Sequence, residues 1–379
     1  MAHVLITGGA GFIGRHLVRE LIGEGHRVRI LDILSPQVHG QVPRDLDWLQ
    51  HPEIELLRGS TTCRSDLEAA LQGVQAVVHL AAETGTGQSM YQIAHYNSVN
   101  AGGTALLLDI LANSRGCDVQ RVVLASSRSI YGEGAFVCTC CSPELRRYPE
   151  ARAKQHLAAG RWEHVCTNCG SELSPVPTRE DDPAKPASIY AATKYAQEEL
   201  VRIACGALGV DHAILRLQNV YGEGQSLNNP YTGILSIFST RVRRGQNLPI
   251  FEDGRETRDF VHVEDVARAF ARAVAAEGKV GAVINVGTGV RSTVAEIAEQ
   301  LSLAFDATPR LIVTGEYRIG DIRHNFAEIE QLSVRLHYTP SVALSEGMAR
   351  FAAWVKNQPL PEDRLAAANA ELRARNMMG

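Results

Sequence analysis

Tyr190 and Lys194 stand four positions apart, a spacing that puts a phenol and an ammonium on one face of a helix. Of ten tyrosines in the chain, only Tyr190 has a lysine at that position. A phenol with a pKa of about 10 is a poor base near neutrality, and a fixed positive charge beside it favours the phenolate. Such a pair could take the proton of a secondary alcohol. The plain alternative is an exposed helical pair of no chemical consequence. A second local signal weighs against that alternative: the stretch Thr7-Gly8-Gly9-Ala10-Gly11-Phe12-Ile13-Gly14, which follows an apolar run and precedes an amphipathic one. Glycines there allow a tight turn and a close backbone approach, and the N–H groups of the following helix face an anion. Asp32 ends the next apolar run, eighteen positions after Gly14, where a carboxylate would bind a ribose 2′-hydroxyl and repel a 2′-phosphate. The expected cofactor is therefore NAD rather than NADP, and the expected chemistry is hydride transfer at a carbinol carbon.

The elements that must position these groups follow from periodicity. Continuous Val/Ile/Leu runs at residues 3–7, 27–31, 76–80, 121–126 and 212–217 suit parallel strands covered on both faces. Residues 14–25, 65–72, 100–114 and 188–208 are long enough to be crossover helices. The pattern is an α/β doubly wound parallel sheet, with residues 1–135 as the first part of a dinucleotide-binding lobe and 179–221 as its second part. Residues 222–379 read mainly as a smaller C-terminal substrate lobe, with 260–288 returning to the first lobe. The tail, 361–375, reads as a solvated helix. Ser127 lies at the carboxyl edge of a strand, where ligands bind in such sheets, and can hydrogen-bond the reacting oxygen. Ser126 and Ser129 read more readily as caps.

Residues 136–178 interrupt the lobe. Cys138/Cys141 and Cys166/Cys169 form two C-x-x-C knuckles with 24 residues between them, the spacing of a closed four-thiolate zinc site. Arg146, Arg147, Arg152, Lys154, His156 and Arg161 give the segment charge and little apolar content, so folding would depend on the metal. The expectation is a zinc-ribbon-like module with structural zinc, Cys140 being a spare thiol able to replace Cys138 or Cys141. An iron centre, free thiols or disulfides stay open. Cys63, Cys117 and Cys205 read as small buried residues.

Composition narrows the partners. With 379 residues, 45% hydrophobic content and a net charge of -4, the chain can bury a large core and offers no basic field for nucleic acid. The N-terminal residues run straight into a strand and no stretch approaches ~20 apolar residues, so the expectation is a cytoplasmic protein without a membrane contact.

The glycine spacing, His79-Leu80-Ala81-Ala82, Ser127 with Tyr131-Gly132, Tyr190/Lys194, residues 216–222 and Arg258-Asp259-Phe260-Val261-His262-Val263 together resemble the extended short-chain dehydrogenase/reductase family. That resemblance covers nearly the whole chain. It implies an enzyme of nucleotide sugars, with NAD on Gly8, Gly11, Phe12, Ile13, Gly14, Asp32, Leu80, Ala81, Ala82, Tyr190 and Lys194. It also implies a catalytic set of Ser127, Tyr190 and Lys194. Asn219 would lie near the sugar or its phosphates, and Arg255, Arg258 and Arg318 near the diphosphate. In family dehydratases the two positions after the catalytic hydroxyl resemble Asp-Glu, and in decarboxylases the second is Glu; here they are Arg128 and Ser129. Lacking that acid, the site suits hydride transfer out and back, which is 4-epimerisation. Residues 82–90 and 229–234 are similar to those of bacterial dTDP-L-rhamnose 4-epimerases, which makes Thr84, Thr86 and Gln88 candidate sugar contacts and sets Glu83 against an acidic sugar. Open alternatives are a UDP-hexose or UDP-hexuronate 4-epimerase, a nucleotide-4-ketosugar reductase that consumes NAD(P)H, and an NAD-sensing regulator without turnover. The resemblance further implies a homodimer through the helices at 100–114 and 188–208.

Overall fold

The computed structural model describes residues 2–40, 46–114, 116–227 and 233–379. Seven parallel strands form the central sheet in the order Ala282–Val286, Asp211–Leu217, Arg121–Ser127, Ala76–His79, His3–Thr7, Arg27–Asp32 and Ile54–Arg58. The chain winds outward in one direction from His3–Thr7, then crosses back to Ala76–His79 and continues the other way. The switch point between those two strands opens a crevice at their carboxyl ends. Successive side chains point to opposite faces, so Val4 and Ile6 join one apolar layer while Leu5 joins the other. The first layer is covered by helices Phe12–Gly23 and Val263–Ala275, the second by Gly103–Asn113 and Ile189–Leu208. Ile54–Arg58 was not expected as a strand. It lies at the sheet edge, where Glu55 and Arg58 stay exposed and break the apolar run that marks the inner strands.

The return of 260–288 to the first lobe starts later than expected, because Thr257–His262 is a strand of a smaller sheet with Asn219–Tyr221, Arg291–Thr293 and His324–Asn325. The chain then returns to the central sheet through Val263–Ala275 and Ala282–Val286. Helices Ile234–Arg243, Val294–Ala304 and Leu344–Lys356 enclose the second lobe's own core around Phe238, Ile250, Leu301 and Phe351. The Val294–Ala304 helix starts at a capping box of Thr293 and Glu296.

The insertion folds as a three-stranded antiparallel sheet, Ser142–Arg147 beside Ala135–Cys138 beside Ser174–Val176. Its apolar core consists of Phe136, Cys138, Cys166 and Leu173. The terminal helix, Leu365–Ala374, is not the solvated element the sequence suggests: it buries Leu365, Ala368, Asn369 and Leu372, with Asn369 bonded to Arg318 of the second lobe and Leu372 beside Gly87 of the first. Beyond it, Gly379 and Tyr317 exchange backbone hydrogen bonds of 2.8 and 3.0 Å. Among the described residues, no helix is long and apolar enough to cross a membrane. Cys205 is buried as expected, whereas Cys63 and Cys117 are half-buried because both sit near the ends of surface connections.

Candidate active site

The glycine loop turns the chain from His3–Thr7 into Phe12–Gly23, and two of its glycines have no room for a side chain. A Cβ on Gly8 would lie 2.8 Å from the backbone of Ala81, and one on Gly14 would lie 2.3 Å from the carbonyl of Gly9. Gly8 also has φ +69°, a conformation that favours glycine. The adjoining segment is fixed by His79, whose ring nitrogens meet the hydroxyls of Thr7 (2.7 Å) and Thr104 (2.9 Å). Burial pushes His79 down to about 3, so it is neutral and acts as a brace. Thr7 also accepts the Ala81 N–H at 3.3 Å.

A cavity of about 550 Å³ occupies the switch point and is lined by Gly8, Gly11, Phe12, Ile13, Gly14 and Asp32, with Leu80, Ala81, Ala82, Glu83 and Thr84 opposite. Asp32 accepts N–H bonds from Ala10 (3.1 Å) and Leu34 (2.8 Å), which aim its carboxylate at one end. The cradle without Cβ atoms, the N-terminus of Phe12–Gly23 and the terminal carboxylate together fit a dinucleotide.

Ser188 caps the helix Ile189–Leu208, and the first turn brings Tyr190 near Ser127, close enough for the serine hydroxyl to favour the phenolate. Ser127 in turn accepts from the Ser129 N–H (3.2 Å) and hydroxyl (2.9 Å). Burial pushes the Tyr190 phenol up, while Ser127 and the Arg128 guanidinium oppose the rise. Lys194 donates to the Ala125 carbonyl at 2.9 Å, and burial pulls its ammonium down to about 7 against the influence of Glu198.

Two features here escape sequence reasoning. Arg128, singled out only for the acid it replaces, is the cation that faces Tyr190; its Nη1 is buried without a partner, and burial lowers its pKa to about 9. Behind Lys194, Glu198 pairs with Arg216 at 2.8 Å and accepts from Ser126, while Arg216 donates to the Tyr131 hydroxyl at 2.8 Å. A glutamate and an arginine 18 residues apart give no local pattern that would announce a buried pair.

A second cavity of about 110 Å³ lies between the lobes, bounded by Thr86, Met90, Ser188, Arg318 and Asp321, with Ala368 and Leu372 of the terminal helix on the far side. Arg318 stacks over Phe251 (4.9 Å) and donates to Asn369 (2.9 Å), leaving its buried Nε unpartnered. Arg258 donates to Asp321 (3.1 Å) and to the Thr257 and Arg323 carbonyls. Burial would raise the Asp321 carboxyl, but Arg258, Arg318, Arg152 and Arg128 hold it below its usual value. Arg152 is also paired with Glu252 (2.8 Å) and Glu133 (3.5 Å), so the donor left open to an anionic ligand is the unpartnered Nε of Arg318.

The other named residues divide. Glu83 is pinned by Asn100 through bonds of 2.7 and 3.1 Å, and its carboxylate faces His95 at 3.2 Å. Gln88 is buried and bonds Gln37 and Tyr96 rather than facing either cavity. Asn219 is half-buried with its Oδ1 unpartnered, next to Val220 of the larger cavity. Arg255 is exposed and lines neither cavity. Residues 229–232 lie outside the described residues.

The Sγ atoms of Cys138, Cys141, Cys166 and Cys169 all lie within 4.8 Å of one another, the adjacent pairs at 3.4 to 3.6 Å. A tetrahedral zinc with bonds of about 2.3 Å needs Sγ atoms about 3.8 Å apart, so the four thiols fit such an ion. Cys140 is exposed and outside the group.

A dinucleotide crevice at a parallel-sheet switch point, with half-buried Ser127 and Tyr190 and buried Lys194 grouped at the end of the neighbouring strand Arg121–Ser127 though lining neither cavity, defines a nicotinamide-dependent α/β enzyme. The sequence matches the model of the NAD dependent epimerase/dehydratase family over residues 4–159 and 164–287, and the chain belongs to that family. It is 35% identical to dTDP-L-rhamnose 4-epimerase of Burkholderia thailandensis over 94% of this chain and 95% of that one. It is 30% identical to UDP-glucose 4-epimerase of Mycolicibacterium smegmatis over 93% of this chain and 98% of the relative. The fold matches UDP-glucose 4-epimerase of Thermus thermophilus, solved in complex with NAD, with a TM-score of 0.71 at 25% identity over 94% of this chain and all of that one. The protein is thus an NAD-dependent enzyme of the nucleotide-sugar epimerase kind.

Proposed function

We propose that the protein inverts C4 of a dTDP-linked 6-deoxyhexose, dTDP-L-rhamnose or its C4 epimer, retaining its NAD between turnovers. The observation that carries the reading is the Tyr190 phenol near Ser127, followed in the chain by Arg128 and Ser129 instead of carboxylates. Tyr190 takes the proton of the C4 hydroxyl, and Ser127 donates a hydrogen bond to the same oxygen. NAD, when bound, supplies acceptor and donor for the C4 hydride, so the sugar passes through a 4-keto form. Lys194 would orient the nicotinamide ribose, and Arg128 favours the phenolate. With no acid beside Ser127, neither loss of water nor decarboxylation has a proton carrier, and the 4-keto sugar has only to turn and be reduced on its other face.

Arg258 and Arg318 would hold the diphosphate; the unpartnered Nε of Arg318 is a donor lacking an acceptor. Thr84 and Thr86 line the two cavities, as sugar contacts would. Gln88 supports them through Tyr96, whose hydroxyl donates to the Thr84 carbonyl at 2.6 Å. The dTDP-rhamnose assignment is supported by the relative at 35% identity. The four cysteines would hold a structural zinc, whose closed thiolate sphere leaves it no part in the reaction. Tyr195, Ile203 and Leu208 expose apolar surface on the helix Ile189–Leu208, which supports a homodimer there; light scattering tests it.

The test is proton NMR of C4 inversion with dTDP-, UDP- and GDP-sugars and no added cofactor. Inversion of dTDP-L-rhamnose, reduced roughly 10²–10⁴-fold in Tyr190→Phe, is the expected result. Inversion confined to a UDP-hexose moves the substrate. Net nicotinamide absorbance change without inversion replaces the epimerase by a reductase.

A further inference from the structure

The larger cavity belongs to the dinucleotide and the terminal helix only walls the smaller one, but a buried ionic cluster between the insertion and the second lobe has no place in the reaction. At its centre is Arg323, fully buried, which meets Glu163 of the insertion and Glu252 (3.0 Å) and Asp253 (2.7 Å) of the second lobe. Glu163 uses its other oxygen on His324, 3.0 Å away. Arg152, also from the insertion, donates to Glu252 at 2.8 Å and to the Asp321 carbonyl at 3.0 Å. Trp162 lies against Tyr317, with ring centroids 6.3 Å apart. Between Tyr317 and Arg323 runs the segment that supplies Arg318 and Asp321 to the smaller cavity.

We infer that Glu163 and Arg152 are positioning residues for the sugar-nucleotide pocket: they clamp the segment 317–324 from outside and so set where Arg318 and Asp321 stand. The inference rests on the proposed diphosphate role of Arg318. The clamp is continuous with the cysteine cluster. Glu163 precedes a knuckle closed by Leu173 N–H to His164 carbonyl (2.8 Å) and Cys166 N–H to Ser171 carbonyl (2.7 Å), and Cys166 and Cys169 lie inside it. His164 in turn faces Glu133 at 3.2 Å, and Glu133 accepts the Arg323 N–H at 2.7 Å. The thiolate site is thereby tied through rigid contacts to a wall of the substrate pocket, which gives an otherwise peripheral insertion a reason to be ordered. A buried arginine surrounded by carboxylates holds its place strongly only while those partners are intact.

The experiment uses the whole enzyme with its bound NAD. Glu163→Gln keeps the size of the side chain and removes its charge; Arg152→Lys keeps charge and cannot make both bonds. Binding of dTDP and UDP is measured by calorimetry, and KM and kcat by C4 inversion, alongside NAD content, metal content and melting temperature. We expect the nucleotide Kd and the sugar-nucleotide KM to rise at least roughly tenfold, about 1.4 kcal/mol, with kcat changed less than about twofold and NAD and metal retained. A loss of kcat at constant KM, or unchanged nucleotide affinity in both variants, overturns the inference while leaving the epimerase reading in place. If Glu163→Gln does not fold, Arg152→Lys alone decides by the same criteria. A wild-type enzyme that binds neither nucleotide and inverts no sugar removes both.

Discussion

Tyr190 is pulled in two directions, raised by burial and lowered by Ser127 and Arg128. If the reaction needs the phenolate, removing the guanidinium raises the phenol's pKa and moves the rising limb of the pH profile toward base. Arg128→Gln should therefore lose activity near pH ~7 and regain part of it above pH ~9, a shift that kcat/KM measured across pH will show or refute. A different residue governs stability. Glu256 is pushed up to about 7, first by burial, and its Oε2 has no hydrogen-bond partner. Because the folded-state pKa lies above the ordinary value of 4.5, the folded protein binds the extra proton between pH 4.5 and 7. This group's stabilising contribution is thus complete below pH 4.5 and lost as pH rises through about 7. Glu256→Gln should raise the melting temperature at pH ~8 and leave it nearly unchanged near pH 4.5; equal effects at both would refute the assignment.

Elements differ in how plainly the sequence announces them. The inner strands and the glycine loop are legible because the determinants are local: unbroken apolar runs, and glycines where Cβ atoms would strike Ala81 or Gly9. Tyr190 and Lys194 are legible for the same reason, both within two turns of one helix. What stays hidden depends on contacts between distant residues or on charge within a strand. Ile54–Arg58 reads as mixed because it is an edge; the terminal helix reads as solvated because Asn369 and Leu372 find partners far away in the sequence, in Arg318 and the wall beside Gly87. Arg323 appears among ordinary charged residues and is completely buried. The loop itself can be tested at Gly14. Gly14→Ala should expel the dinucleotide and lower the melting temperature by several degrees, since the new methyl meets backbone rather than a flexible side chain. Retention of NAD by the purified variant would show that the cradle tolerates a side chain.

On the scale of the molecule, two lobes and an insertion meet around the smaller cavity. If zinc holds the four thiols, removing it with a chelator and a thiol reagent should open residues 136–178 to limited proteolysis while NAD stays bound, because the dinucleotide crevice shares none of those residues. An unchanged cleavage pattern, or elemental analysis without about one zinc per chain, would argue against a metal-ordered insertion. The insertion separates Ser127 from Tyr190 by 62 intervening residues, yet both ends return to the central lobe, so it is added to the sheet's winding without altering strand order.

Gly379 exchanges backbone hydrogen bonds with Tyr317, and Met377 accepts the N–H of Ile319, so the tail runs beside Arg318 like a short extra strand. A purification tag or fluorescent fusion attached after Gly379 would emerge within a few residues of the pocket wall. Kinetic constants taken from such a fusion should be compared with those of a protein tagged at its opposite end before any difference is ascribed to the sugar.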